Sequence, residues 1–331
     1  MSSARITSDQ RLVDSLMAAM ATGISPWRRP WDSDGLGHHV NLISGRRYRG
    51  ANPILLSLGL HQRQSNLPFW CGFGEARAAG LSPRRGSRAV VVLRPQVQRR
   101  QHQPSPPPHP TSDEPVATGP AAVHSEDCWV RYRPLPVFNA ADLVGESIGR
   151  LIEQRRHSNR QQQRPEPERL ATAESVLRRW PVPVCHGGDR AAYQPANDRI
   201  LLPDLSAFHT SAAYYATWAH EAIHSTGHPC RLNRDLSGRL EGTTEECRAY
   251  AREELVAELG AVLLGDRLEI GSDVNHHAAY LDHWIRLLSE SPTVLYRVLS
   301  DARRAADGIA AEQTEQPLEE APVLQPMARQ S

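Results

Sequence analysis

Near the N-terminus, Leu12, Leu16 and Met20 recur at helical spacing with Val13 and Met17 beside them, which predicts a helix over residues 8–22. Ser8 and Arg11 supply only half of a capping box there. After the proline-punctuated SPWRRPW (25–31), the run SGRRYRGANPILLSLGL (44–60) reads as a turn, a short strand and a helix from about Pro53. PFWCGFGEARAAGL (68–81) predicts a strand end and a short helix, and RRGSRAVVVLRP (84–95) a basic turn feeding a buried strand. WVRYRPLPVFNAADLVG (129–145) resumes as a strand. Farther on, ESVLRRWPVPVCHGGDRAAYQPANDRILLP (174–203) predicts a helix, a strand, a Gly-Gly turn and a strand-turn-strand unit with Asn197-Asp198 at the second turn. Three further helices are expected, from about Ser211, from Thr244 to Leu264, and from His276 to Leu288.

Two stretches lack any apolar period. Residues 101–126 are rich in Pro and Ser and cannot bury enough surface to offset the entropy of ordering, so they read as a disordered insertion within the first domain. Residues 153–168, EQRRHSNRQQQRPEPE, read as a polar linker. The expected organisation is therefore α+β in two domains: 8–152, a linker at 153–168, 169–308, and a flexible tail at 309–331.

Charge sharpens this division. The net charge of +1 conceals 15 arginines against 5 acidic residues in 1–100, and 23 against 32 in the remainder. Lysine is absent, which points first to genomic base composition and second to phosphate recognition. The N-terminal third can thus attract an anion such as nucleic acid while the rest does not. Five scattered cysteines without a C-x-x-C pair exclude a zinc ribbon and fit a reducing cytoplasm. No window approaches the ~18 apolar residues of a membrane span, and the N-terminus has no signal-peptide core.

The most specific chemistry lies in His220-Glu221-x-x-His224. Positions i and i+4 share a helix face, so the two imidazoles can bind one zinc, and Glu221 can accept a proton from a water that the metal activates. Three residues could complete the site. Cys230 stands where metzincins place their last histidine, but no methionine follows except Met327 in the tail. His228 lies past the break at Gly227. Glu254 opens an E-x-x-A-E run, Glu254 to Glu258, on the next predicted helix, the arrangement of glutamate zincins. We therefore expect His220, His224 and Glu254 as metal ligands, Glu258 as the carboxylate hydrogen-bonding a metal-binding histidine, and Glu253 facing solvent. Zinc is the expected ion, with manganese or cobalt as substitutes. The strand-turn-strand at 191–203 reads equally as scaffold or as an edge for an extended substrate.

In the basic region, aromatic and arginine residues interleave: Trp27, Arg28, Arg29 and Trp31; then Arg46, Arg47, Tyr48, Arg49 and Asn52; then Trp70, Arg84 and Arg85. Aromatic faces that stack bases, flanked by arginines along a phosphate track, suit single-stranded nucleic acid. No helix-turn-helix, zinc-finger or RNA-recognition signature appears.

Both halves then resemble one family. GISPWRRPW, Asn41, SGRRYRGAN, FWCGFGEARAAGLSPRRGSRAVVV and VFNAADLVG in the first half, and GGDRAAYQPANDRILLP, HEAIHSTGH, YAREELVAELGAVLL and YLDHWIRLL in the second, are similar to ArdC-type antirestriction proteins of conjugative plasmids, whose first domain is shared with TraC-type primases. The resemblance implies an N-terminal single-stranded-DNA-binding domain joined to a zincin-like (gluzincin) metallopeptidase domain. The family's ligands carry over to His220, His224 and Glu254, and its general base to Glu221. It implies single-stranded DNA as partner, a protein as possible substrate, and no membrane. The alternative reading is a dedicated cytoplasmic metallopeptidase whose basic domain docks protein or RNA.

Overall fold

The computed structural model describes residues 8–21, 23, 25, 27, 37–99, 128–238, 241–272, 281–290 and 293–312. The first half holds α1 (Ser8–Ala21), β1 (Val40–Asn41), α2 (Asn52–Arg63), β2 (Phe69–Gly72), α3 (Phe73–Ala78), β3 (Ser82–Pro83), β4 (Val90–Arg99), β5 (Cys128–Asn139) and β6 (Leu143–Val144). Strands β1-β2-β5-β4 form a mixed sheet, and β3 pairs with β6. β4 and β5 run as a long antiparallel ribbon from Val90↔Val137 to Arg99↔Cys128. The expected disordered insertion, 101–126, falls outside the described residues, between these two paired ends.

α2 is apolar on nearly every side, and all of residues 52–60 are buried. The reason is its position: Leu56 and Leu60 pack on Trp70, Val90, Val92 and Val137 of the sheet, while Ile54, Leu55 and Leu58 join the core of the second half. A helix apolar all round has neighbours all round.

The second half comprises α4 (Ile148–Gln162), α5 (Glu166–Arg179), β7 (Val184–His186), β8 (Ala192–Gln194), β9 (Arg199–Leu202), α6 (Ser211–Ser225), α7 (Thr244–Leu268), α8 (Leu281–Glu290) and α9 (Val294–Ile309). The sheet order β7-β9-β8 leaves β8 at an edge. α6 and α7 cross at the centre, with α5, α8 and α9 packed around them. The described residues contain no helix long and apolar enough to cross a membrane.

Three features depart from expectation. Residues 153–168 are not an extended linker: they continue α4 to Gln162 and open α5. α4 buries none of its residues fully, because only Ile148, Leu151 and Ile152 touch the first-half core, and so weak an apolar face escapes periodicity. α9 is a helix beyond those expected, and it places Leu295, Val298, Leu299, Ala302 and Ala306 on one buried face. Finally, α1 packs against α8, and Val13, Leu16 and Met20 join the core of the second half.

Polar contacts reinforce this junction. His38 lies with Nδ1 3.1 Å from Asp266 Oδ1 and Nε2 3.2 Å from Glu269 Oε1. Arg47 donates to Asp266 Oδ2 at 2.6 Å, and within the second half Arg164 donates to Glu269 Oε2 at 3.0 Å.

Candidate metal centre

Thr210 caps α6 by accepting from Ala213 N (3.1 Å), so His220 and His224 fall on the buried side of a helix whose apolar residues Tyr215, Trp218, Ala219, Ala222 and Ile223 anchor it in the core. α7 begins with a reciprocal box in which Thr243 accepts from Glu246 N and Glu246 accepts from Thr243 N. The two helices approach closely at Gly260, where an added Cβ would stand 2.7 Å from Ile223 Cγ2. This contact sets α7 against α6 and delivers Glu254 to the histidines.

The structure brings His220, His224 and Glu254 together. His220 Nε2 lies 3.8 Å from Glu254 Oε2 and His224 Nε2 3.6 Å from Glu254 Oε1, with all three donor atoms within 4.8 Å of one another. Donors about 2.0–2.1 Å from a shared tetrahedral ion stand roughly 3.3 Å apart, so a small contraction would complete a two-imidazole, one-carboxylate cage. Zinc, manganese and cobalt all suit that donor set. The donors fit a divalent metal.

The carboxylate on the histidine is not the expected one. Glu253 Oε1 lies 3.1 Å from His224 Nδ1, and Glu253, only 8% exposed, is itself clamped by Arg234 through Nε–Oε2 (2.8 Å) and Nη2–Oε1 (2.7 Å). Arg234 also donates to Thr226 Oγ1 and to the carbonyl of Ile223, tying the loop after α6 to both helices. Glu258, expected in this role, is buried instead against the first half, where it accepts from Trp27 Nε1 at 2.9 Å. One turn along α7 carries Glu258 about 6 Å beyond Glu254, whereas Glu253 lies at the histidines' own level.

Glu221 is buried, and its Oε2 accepts from the backbone N–H of Tyr193 on β8 (2.7 Å). Burial raises its carboxyl above the ordinary range and nearby Glu254 adds to this, against the opposing pull of His224 and the Tyr193 amide. For His224, burial disfavours the imidazolium, but Glu254, the hydrogen bond that the ring donates to Glu253, and Glu221 outweigh it and push the ring up to about 9. The three ligands and Glu221 line a cleft of about 1010 Å³ bordered by Gly188 to Tyr193, Phe208, Leu236 and Tyr250.

The other two candidates for third ligand sit elsewhere. His228 Nδ1 lies 2.9 Å from Cys230 Sγ, in a group with Asp198 that Arg231 also bridges.

The expected nucleic-acid residues divide. Trp27 and Trp70 are 1% and 0% exposed: Trp27 packs on Trp284, and Trp70 donates to His39 Nδ1 inside the first-half core. Neither presents a face to a base; the indoles are drawn inward by their large apolar area. Tyr48 is largely buried, with its hydroxyl 3.5 Å from the Trp70 carbonyl, and burial raises its pKa. Asn52 ties α2 to the backbone of Leu93, and Arg47 is engaged by Asp266. Arg46, Arg84 and Arg85 are exposed and Arg49 half-buried. Arg28, Arg29 and Trp31 lie outside the described residues.

A basic α+β first half locked onto a domain with a zincin-type metal centre is thus the class of protein that fold and site define. Family comparison agrees: residues 7–120 match the N-terminal domain of anti-restriction factor ArdC, and residues 171–301 match a zincin-like metallopeptidase. The fold aligns with the crystal structure of antirestriction ArdC protein from plasmid R388, metal-free, at a TM-score of 0.61 and 26% identity over 91% of this chain and 95% of that one. A Mn(II)-bound structure of the same protein aligns at 0.60. The chain is 32% identical over 309 residues to a DNA primase TraC from Escherichia coli, of which it spans 27%. It is 28% identical to an uncharacterised protein, y4eC, from Sinorhizobium fredii over 92% of both. Two family models thus follow one another along the chain, an ArdC N-terminal domain and then a zincin-like metallopeptidase domain.

Proposed function

We propose that this protein binds single-stranded DNA entering a cell with a mobile element and protects it from restriction, and that its second domain is a metal-dependent peptidase. The observation that carries the second part is Glu221: a buried carboxylate beside a complete ligand set, inside an open cleft. A domain kept only for its fold has no use for it. A zinc or manganese ion held by His220, His224 and Glu254 would supply Lewis acidity to a peptide carbonyl and to water.

The chain's own residues do the rest. Glu221 is made more basic by burial, which suits it to accept a proton and return it to the leaving amine. The Tyr193 N–H holds one of its oxygens and leaves the other for water. β8, at the edge of its sheet and bordering the cleft, offers main-chain groups to an extended peptide. The arginine excess of the first hundred residues supports the DNA-binding part.

Glu221→Gln separates the two activities. It should retain metal and DNA binding and protection against restriction while abolishing peptide cleavage. Loss of protection with normal DNA binding would show that hydrolysis, not coating, protects the DNA. Failure of the wild-type protein to bind single-stranded DNA would remove the first part of the proposal.

A further inference from the structure

The burial of Trp27 and Trp70 leaves open which aromatic could meet a base. Phe73 is 52% exposed, the most exposed large apolar side chain among the described residues, although phenylalanine ordinarily goes inside. It opens α3 directly after β2, where Phe69, Trp70 and Cys71 are all fully buried. The chain therefore turns outward at this one ring. A Cβ added at the neighbouring Gly74 would meet nothing within 4 Å, so the space beside the ring is open.

The surroundings are cationic. Arg77, four residues on, shares the exposed face of α3 with Phe73. Glu75 ties the first turn of α3 to the 41–46 turn: its oxygens accept from Asn41 Nδ2 (3.0 Å), and Oε2 also from Gly72 N (2.7 Å). That turn, closed by Asn41 N donating to the Arg46 carbonyl, presents the exposed Arg46. Beyond α3, the chain continues into an exposed turn with Arg84, Arg85 and Arg88. Among the described residues, none of these five guanidinium groups pairs with a carboxylate. Arg47 and Arg63 of the same half, by contrast, each hold an acidic partner, Asp266 and Asp142.

We propose that Phe73 is a base-stacking residue for single-stranded DNA, with Arg77 and Arg46 contacting the flanking phosphates. The inference rests on the DNA-binding reading above and assigns it a surface. A single exposed ring flanked by unpaired guanidinium groups fits an unstacked base between two phosphates. A duplex, whose bases are already stacked, gives the ring nothing to hold.

The test is fluorescence anisotropy of the full-length protein with labelled oligo(dT) and with a duplex of equal length. Phe73→Ala should raise the Kd for oligo(dT) about tenfold, Phe73→Tyr should restore it to within about twofold, and the weaker duplex binding should not move. Arg77→Gln should reduce the log–log salt slope for oligo(dT) by about 0.7, one single-strand phosphate contact. An unchanged Kd in Phe73→Ala, with wild type binding oligo(dT), overturns the stacking role and leaves the DNA-binding reading standing. Equal losses in Phe73→Ala and Phe73→Tyr, or the same loss on duplex, also overturn it, because they do not depend on a ring meeting a free base. Wild-type protein that ignores oligo(dT) overturns both readings.

Discussion

Around the metal centre, the Arg234–Glu253–His224 chain holds one imidazole so that its Nε2 faces Glu254. A carboxylate behind a ligating histidine fixes ring orientation and tautomer, and losing it typically costs 10–100-fold in metal affinity. Glu253→Gln should therefore weaken metal binding by about tenfold or more in a chelator competition, and Arg234→Gln should do so to a lesser degree. Glu258→Gln, which keeps an oxygen for Trp27 Nε1, should leave that affinity within about twofold. Sequence spacing shows that Glu254 and Glu258 share a face of α7, and this favoured Glu258 as the supporting group. Which glutamate reaches a histidine depends on where α7 crosses α6, and spacing along one helix carries no such information.

Between elements, that crossing is set by Gly260 against Ile223. Gly260→Ala places a methyl group 2.7 Å from Ile223 Cγ2, so the helices must separate. Overpacking of this kind costs about 1–3 kcal/mol, visible as a lowered Tm, and metal affinity should fall with it because Glu254 moves away from both imidazoles. The Gly260→Ala/Ile223→Ala double variant should recover metal affinity relative to Gly260→Ala alone, since the methyl then has room. An additive double variant would mean that the crossing is set elsewhere. At this scale much of the fold was readable from residue pattern: α2, β2, α3, β4, α6 and α7 follow strong apolar periods or strong turn signals. α4 was not, because most of its residues are polar and its packed face is only Ile148, Leu151 and Ile152.

For the whole molecule, the two family domains share a core. α1 packs on α8, α2 contacts α7, and Trp27 packs on Trp284. A fragment limited to residues 169–308 would expose the apolar surface of Trp284 and α7 that the first half covers, so it should be less stable than the full chain and bind a hydrophobic dye. Asp266 contributes a second, polar link. Burial opposes its charge, but Arg47 and His38 hold its carboxyl well below the usual range. A depressed carboxylate adds stability above its unfolded pKa and loses it on acidification, so this link should weaken as pH falls below about 4. Asp266→Asn should remove that acid dependence. Arg47→Ala should cost about 3 kcal/mol by leaving Asp266 buried without its main partner, measurable by urea unfolding at neutral pH.

The sequence by itself determined the α+β composition, most helices and strands, and the residue types of the metal centre, because these depend on short-range periodicity and on spacing within one helix. Only the tertiary structure decided what faces what: that the tryptophans Trp27 and Trp70 are core and Phe73 is surface, that Glu253 rather than Glu258 supports His224, and that α1 belongs with α8. The physical reason is common to all three. Burial and hydrogen bonding are settled between distant segments, 231 residues apart for Trp27 and Glu258, and the local pattern of neither segment encodes the other.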